Sequence, residues 1–273
     1  MPCHRSPCSR VRRSMNRLAG KRYWLVGASA GIGRELALQL ARKGVAIVAS
    51  ARDGATLARL LGEMTPVETS KGGHAGVSFD VTDRTLTLEA FNKAGRVDGI
   101  IYCAGAYEPM SARQPDLDTL ETIIDVNLTG ALRVLAACLP AFCRRGFGHI
   151  VLLGSLSGYR GLPNAWGYGA SKSALIHLAE NLRCDLHGSG VTVQVCNPGF
   201  VATRLTDKNS FRMPLLMTPE KAAEQIIRGM NRGHFEIAFP LAMKVAFKIL
   251  AGLPRPLYFA LLARTPRKTG KRS

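Results

Sequence analysis

Neither residues 1–22 nor residues 240–273 contain an acidic residue. The first stretch carries seven Lys/Arg and the second eight, so these fifteen cations supply most of the formal charge of +18. The body between them is close to neutral. A basic surface interleaved with aromatics, as nucleic-acid binding requires, is missing, and no nucleic-acid partner is expected. There is no Cys-x-x-Cys, and the seven cysteines are odd in number. Four of them (Cys103, Cys138, Cys184, Cys196) sit in apolar helix or strand patterns, where a buried thiol acts as a small hydrophobe. A reduced compartment, the cytoplasm, follows. No cysteine–histidine cluster has ligand spacing, so no metal site is expected. No charge-free apolar run approaches a membrane span, and no short basic stretch precedes an apolar one as in a secretory signal. What is present is 273 residues with 47% hydrophobic content, enough for a substantial core.

The body alternates short apolar runs with helical patterns. Strands are expected at Tyr23–Gly27, Val45–Ala51, Val77–Val81, Gly99–Cys103, His149–Gly154, Thr192–Asn197 and Phe235–Phe239. Helices are expected over Ile32–Lys43, Leu57–Met64, Leu86–Lys93, Leu117–Arg145 and Tyr168–His187. A further helix begins with Thr218 as N-cap and Pro219 at the first position, and runs to about Asn231. Continuously apolar strands between helices imply an α/β fold with a doubly wound, Rossmann-type parallel sheet. The chain divides into a basic N-terminal extension (1–20), a catalytic domain (21–240) and an apolar, basic C-terminal extension (241–273).

The turn Gly27-Ala28-Ser29-Ala30-Gly31-Ile32-Gly33 joins the first strand to the first helix. In that context glycines let backbone approach a phosphate at a helix N-terminus, where free N–H groups favour negative charge. A bound dinucleotide is implied. An acid near the end of the second strand would hold its ribose 2′-hydroxyl. Here the residues are Ser50-Ala51-Arg52-Asp53. Arg52 can pair with a 2′-phosphate, and Asp53 reads as the cap of the next helix, so NADP(H) is expected over NAD(H). Asp80-Val81, after the third strand, is placed to contact adenine, and a plain strand-end aspartate is the other reading.

Tyr168 and Lys172 stand four apart, with Ser155 thirteen residues before the tyrosine. Residues four apart share a helix face. An ammonium there lowers the pKa of a neighbouring phenol, which makes it usable as an acid or base near neutrality. A serine hydroxyl can hold the same substrate oxygen.

Together these residues resemble the short-chain dehydrogenase/reductase family. The match runs from about Arg22 to Phe239 and includes the glycine turn, Ala104-Gly105, Asn127, Ser155, Tyr168 with Lys172, and Pro198-Gly199 with Thr203. The resemblance implies an oxidoreductase that interconverts a ketone or aldehyde and an alcohol. Tyr168 would carry the proton, and Lys172 would contact the nicotinamide ribose. Ser155 would polarise the carbonyl, and Asn127 would hold a water linking Lys172 to solvent. Pro198, Gly199 and Thr203 would border the nicotinamide. Val26, Tyr102 and Cys103 depart from the family's usual threonine and asparagines, and each change removes a hydrogen bond that braces the nucleotide site. The alternative class is a nucleotide-binding protein without turnover.

Leu156, Tyr159, Leu162, Trp166, Phe200, Phe211 and Leu215 suggest an apolar pocket wall and a bulky, lipid-like or steroid-like carbonyl substrate. Leu175, Leu178, Leu182 and Leu186 form a helical stripe that reads as a homo-oligomer surface or as a face packed on the sheet. Residues 1–14 read as lying outside the working fold, with Met15 a natural start; a transit peptide is the other reading of this Arg-rich segment. Residues 241–263 mix apolar side chains with cations only and are broken by Pro254 and Pro256. Two readings stand for them: a peripheral membrane contact, or a lid or partner-covering segment folded over the body.

Overall fold

The computed structural model of the chain describes residues 17–263. The expectations for residues 1–14 lie outside them. Seven strands form one parallel sheet: β1 (Arg22–Val26), β2 (Ala46–Ala51), β3 (Ala75–Ser78), β4 (Gly99–Tyr102), β5 (Gly148–Leu153), β6 (Val191–Pro198) and β7 (Glu236–Phe239). Their order is β3-β2-β1-β4-β5-β6-β7. The order reverses between β1 and β4, and a crevice opens at their carboxyl ends, where ligands of such sheets bind.

The helices are α1 (Gly31–Arg42), α2 (Gly54–Glu63), α3 (Arg84–Ala94), α4 (Leu117–Ile124), α5 (Gly130–Arg144), α6 (Trp166–Asp185), α7 (Pro219–Arg232), α8 (Leu241–Gly252) and α9 (Arg255–Ala263). Strand side chains alternate between two cores. Tyr23, Leu25 and Ile47 pack with α1, α2 and α7, while Trp24, Val26 and Val48 pack with α3, α5 and α6. Both faces of the sheet are therefore covered, which explains why its strands read as unbroken apolar runs.

Capping follows the sequence reading at two helices. The Asp53 carboxylate accepts from the Ala55 N–H to open α2, and the Thr218 hydroxyl accepts from the Lys221 N–H to open α7.

Two expectations are corrected, the bounds of the third strand and the burial of Cys184, and one open reading is decided. The third strand covers Ala75–Ser78, not Val77–Val81. Phe79 and Val81 are apolar because they plug the core beyond the ladder, Phe79 lying 5.8 Å from the Trp24 ring. The leucine stripe of α6 faces the sheet: Leu175 is fully buried, and Leu178, Leu182 and Leu186 pack on the same core. Cys184 is exposed, on the outer side of that helix. α4, a π-helical turn (Asp125–Thr129) and α5 together make a 28-residue helix that by length and composition could cross a membrane, although Asp118, Glu121, Asp125 and Arg133 interrupt it, so no charge-free apolar run of that length arises. Ile123, Ala131, Val134, Leu135 and Phe142 bury one face of it in the protein, as in a core helix.

Candidate active site

The glycine turn packs backbone to backbone. Gly27 has φ +92°, and a Cβ there would stand 2.4 Å from the Ala104 nitrogen. A Cβ on Gly33 would stand 2.0 Å from the Gly27 carbonyl oxygen. Any larger residue would force β1, α1 and the β4 loop apart. Gly31 has φ +55° and lies under the Thr203 methyl group. Thr203 belongs to the loop after β6, so this contact joins the glycine turn to that loop. Ile32 turns inward onto the core. Ser29 lines a cavity of about 250 Å³ with Arg34, Thr56, Arg59, Leu60 and Glu63. Ala30 caps α1 without a side-chain hydrogen bond, and no acid stands in the first turn. The first N–H groups of α1 are thus left for an anion.

At the end of β2, Ser50 is fully buried and accepts from the Trp24 indole at 2.9 Å. Asp53 spends its carboxylate on the Thr56 hydroxyl and the Ala55 N–H, which hold it below the usual carboxylate range. Arg52 is exposed, and its guanidinium has no partner among the described residues. Asp80 accepts from the Thr82 N–H at 3.0 Å and hydroxyl at 2.9 Å. Val81 is buried, and its carbonyl accepts from Arg133.

Asn127 sits in the π-helical turn, where an extra residue re-aims side chains. It is fully buried. Its Oδ1 accepts from the Ala106 N–H at 2.6 Å, and its Nδ2 donates to the Ala106 carbonyl at 3.0 Å and the Ser171 hydroxyl at 2.9 Å. Tyr102 donates to the Val126 carbonyl inside the same turn. The tyrosine that replaces a family asparagine therefore braces the site from a different direction. It requires glycine at 130, where a Cβ would stand 2.5 Å from the phenol oxygen.

Ser155 follows β5 and accepts from the Ser157 N–H and hydroxyl. Its side chain faces the Tyr168 phenol closely enough to pull the phenol's pKa down. Lys172, one turn after Tyr168 on α6, is buried and donates to the Leu153 carbonyl at 2.7 Å. Its ammonium lies 5.6 Å from the centre of the Tyr168 ring. Gly105 approaches both Asn127 and Lys172, a Cβ there falling 3.6 Å from Oδ1 and 3.8 Å from Nζ. Asn127, Ser155, Tyr168 and Lys172 thus meet at one end of the crevice.

The expected lowering of the phenol pKa is not what this geometry produces. Burial pushes Tyr168 up to about 12, the Ser155 side chain pulls it partly back, and Tyr107 and Cys103 add to the rise. Burial also lowers Lys172 to about 8. Desolvation dominates both groups, and the ammonium is directed at the Leu153 carbonyl.

Pro198 ends β6, and the Gly199 N–H donates to the Phe239 carbonyl at 2.8 Å. Gly199 packs against Met243 of α8 and Pro240.

A sequence model of the family described as short chain dehydrogenase matches residues 21–213. An uncharacterized oxidoreductase of Myxococcus xanthus is 38% identical over 244 residues, covering 88% of this chain and 95% of that one. The chain belongs to the short-chain dehydrogenase family. A Burkholderia cenocepacia short-chain dehydrogenase in complex with NADP superposes with a TM-score of 0.78 at 22% identity, over 92% of this chain and all of that one. A Sphingobium yanoikuyae short-chain dehydrogenase in complex with NADPH gives 0.74 at 25% identity, over 92% and 98%.

As a short-chain dehydrogenase the chain has neighbours to its site that its motifs did not announce. Tyr107 packs edge-on against Tyr168, ring centres 4.8 Å apart, and donates to Asn209 at 2.6 Å. Lys208 joins Glu108 at 2.6 Å and donates to the Tyr107 carbonyl at 3.1 Å, so three contacts tie the β4 loop to the loop after β6. Tyr159, expected as apolar wall, instead donates to Glu236. Glu236 also accepts from Asn197 at 3.1 Å and pairs with Lys244 at 3.0 Å and Lys248 at 3.2 Å. Leu156 is core, not wall, with 1% of its surface exposed. Trp166, Phe211 and Leu215 do present exposed apolar surface.

Proposed function

We propose that this short-chain dehydrogenase interconverts a carbonyl and an alcohol with NADP(H), with Tyr168 as the acid and base. The observation that carries the reading is the meeting of Ser155, Tyr168 and Lys172, the serine beside the phenol and the lysine one turn away with its ammonium 5.6 Å from the phenol ring centre. A nicotinamide coenzyme, when bound, gives hydride to the carbonyl carbon or takes it from the alcohol carbon. The first turn of α1, with Gly27, Gly31 and Gly33, would hold its pyrophosphate. Ala104, Gly105, Pro198, Gly199, Thr203 and Lys172 would border its nicotinamide half, and Asp80-Val81 its adenine.

In reduction the Tyr168 phenol, neutral below about 12, gives its proton to the substrate oxygen. Ser155 donates to the same oxygen and fixes its position. Lys172 stabilises the phenolate that remains, and Ser171 and Asn127 fix the helix face on which it stands. Asn127 commits both amide hydrogens to protein groups, so its part is to hold the β4 loop against α6. Arg52, unpaired beside the committed Asp53, supports NADP(H), and the NADPH complex of the Sphingobium relative supports it further. The exposed Trp166, Phe211 and Leu215 support a bulky apolar substrate. A homo-oligomer belongs to the same reading. With the leucine stripe used by the core, its surface would be the outward side of α4 and α5, where Leu117 and Leu132 are exposed.

The test is kcat/KM for NADPH and NADH across ketones and aldehydes of increasing apolar size. Turnover with NADPH preferred is expected. Coenzyme binding without turnover on any carbonyl would overturn the reading, and a preference for NADH would overturn its coenzyme part.

A further inference from the structure

We propose that the outer face of α8 and α9 docks this protein on an anionic lipid surface. The inner face of the helix pair is anchored to the body. Met243 and Tyr258 are buried, and Lys244 and Lys248 pair with Glu236. The Arg160 guanidinium donates to the carbonyls of Leu250, Ala251 and Leu253 at the end of α8 and lies 4.3 Å from the Tyr258 ring centre. Tyr258 in turn donates to the Gly161 carbonyl. The pair therefore folds back onto the loop that follows Ser155, as one of the two sequence readings has it, and is held there by polar contacts.

Among the described residues the outer face has no such partner. Leu241, Val245 and Ile249 recur every fourth residue along α8 and are 71%, 48% and 63% exposed. On α9, Leu257, Phe259 and Leu261 are 60%, 62% and 49% exposed. Exposed apolar side chains recurring along helices that are docked in this way mark an interaction site.

Charge selects the occupant. Residues 240–273 hold eight Lys/Arg and no acid. Lys244 and Lys248 spend their charge on Glu236, and the remaining six cations, from Arg255 onward, find no acid in their own segment. A second copy seated isologously on this face would set cation against cation. An anionic lipid surface offers hydrocarbon to the leucines and negative headgroups to the arginines and lysines. Helices of 12 and 9 residues, parted at Leu253-Pro254, are too short to span, so they lie in the interface.

The experiment is co-sedimentation of the full chain with vesicles of phosphatidylcholine alone or phosphatidylcholine with phosphatidylglycerol, at low and high salt. Binding to the anionic vesicles, weakened by salt and weak on phosphatidylcholine, is expected. Ile249→Ser with Leu257→Ser, both on the outer face, should lower the bound fraction at least about tenfold while the melting temperature stays unchanged. Lys268→Glu with Lys271→Glu, in the basic stretch beyond the described residues, should also lower it at low salt. Absence of binding to anionic vesicles would overturn the proposal. So would binding that survives the serine changes, since basic residues alone would then suffice. Sedimentation velocity completes the test: an oligomer that the serine changes dissociate, with no vesicle binding, would assign the face to a second copy. None of these readouts uses turnover, so they stand apart from the carbonyl-reductase reading.

Discussion

On the β1–β2 side of the crevice, Gly33 on the Gly27 carbonyl and Gly27 on Ala104 touch backbone to backbone, and Gly31 lies beneath the Thr203 methyl group. On the β5–β7 side the parts are joined by side chains far apart in sequence. Tyr159 and Asn197 meet on Glu236, which also holds Lys244 and Lys248 of α8, and Tyr107 reaches Asn209. The first construction tolerates no added atom and suits a ligand whose phosphates need close backbone approach. The second can lose a member and adjust, which suits a side that must accept a substrate. Rigidity is placed where the coenzyme would bind, and adaptability where the substrate would enter.

If that contrast holds, the largest loss follows from adding atoms on the rigid side. Gly33→Val should cost about 3 kcal/mol or more of stability and abolish coenzyme binding, because its Cβ has nowhere to go. Gly161→Ala, on the other side with open space around its Cβ position, should be near neutral by thermal unfolding. Similar costs for both would break the comparison.

Removing a charge from the adaptable side should cost less. Glu236→Gln should lose about 1–2 kcal/mol at neutral pH and loosen α8, read by hydrogen exchange of residues 241–252. Its acid behaviour is a sharper check. Although burial alone would raise its pKa, the bonds from Tyr159 and Lys244 lower Glu236 to about 2 from 4.5. Its contribution is therefore present above pH 4.5 and is lost as pH falls through 2. His149 adds to this. Buried between Tyr23 and Gln194, it is held at about 4 by desolvation, so the unfolded chain takes up its proton first, below about 6.5. Stability should fall with acid from about pH 6.5, and Glu236→Gln should flatten only the lower part of that fall.

Arg52→Asp should lower the preference for NADPH over NADH about tenfold or more in kcat/KM, with little change in melting temperature. An unchanged ratio would remove Arg52 from the coenzyme site. The smallest effect is expected from Tyr107→Phe, which keeps the ring against Tyr168 and loses only the bond to Asn209. A change in kcat/KM within about fivefold, carried by KM, would fit a contact that shapes entry; a collapse of kcat would make Tyr107 part of the chemistry.

What could be read in the sequence follows the same division. Glycine spacing after an apolar run reveals a backbone-built turn because each glycine answers a local need, and Asp53 and Thr218 announce helix starts within three residues of the groups they cap. The Tyr168–Lys172 pair is legible because four residues make one helical turn. The boundary of β3 was not, since Phe79 and Val81 are apolar for reasons of core filling rather than strand pairing. The leucine stripe of α6 could not be assigned to sheet or partner by periodicity alone. Glu236, Tyr107 and Arg160 draw their roles from partners tens of residues away, and no local pattern records such pairs. The phenol pKa was misjudged for a related reason: spacing puts Lys172 near Tyr168 but carries no information on burial or on the Leu153 carbonyl that takes its hydrogen bond.

The central claim is that Tyr168 transfers the proton at a substrate oxygen. Tyr168→Phe keeps the ring against Tyr107 and leaves the glycine turn untouched. With NADPH and a carbonyl turned over by the native protein, the account predicts that kcat falls at least about a hundredfold while the Kd for NADPH, read by fluorescence, stays within about twofold. Retention of most of the native rate by the phenylalanine variant would contradict it.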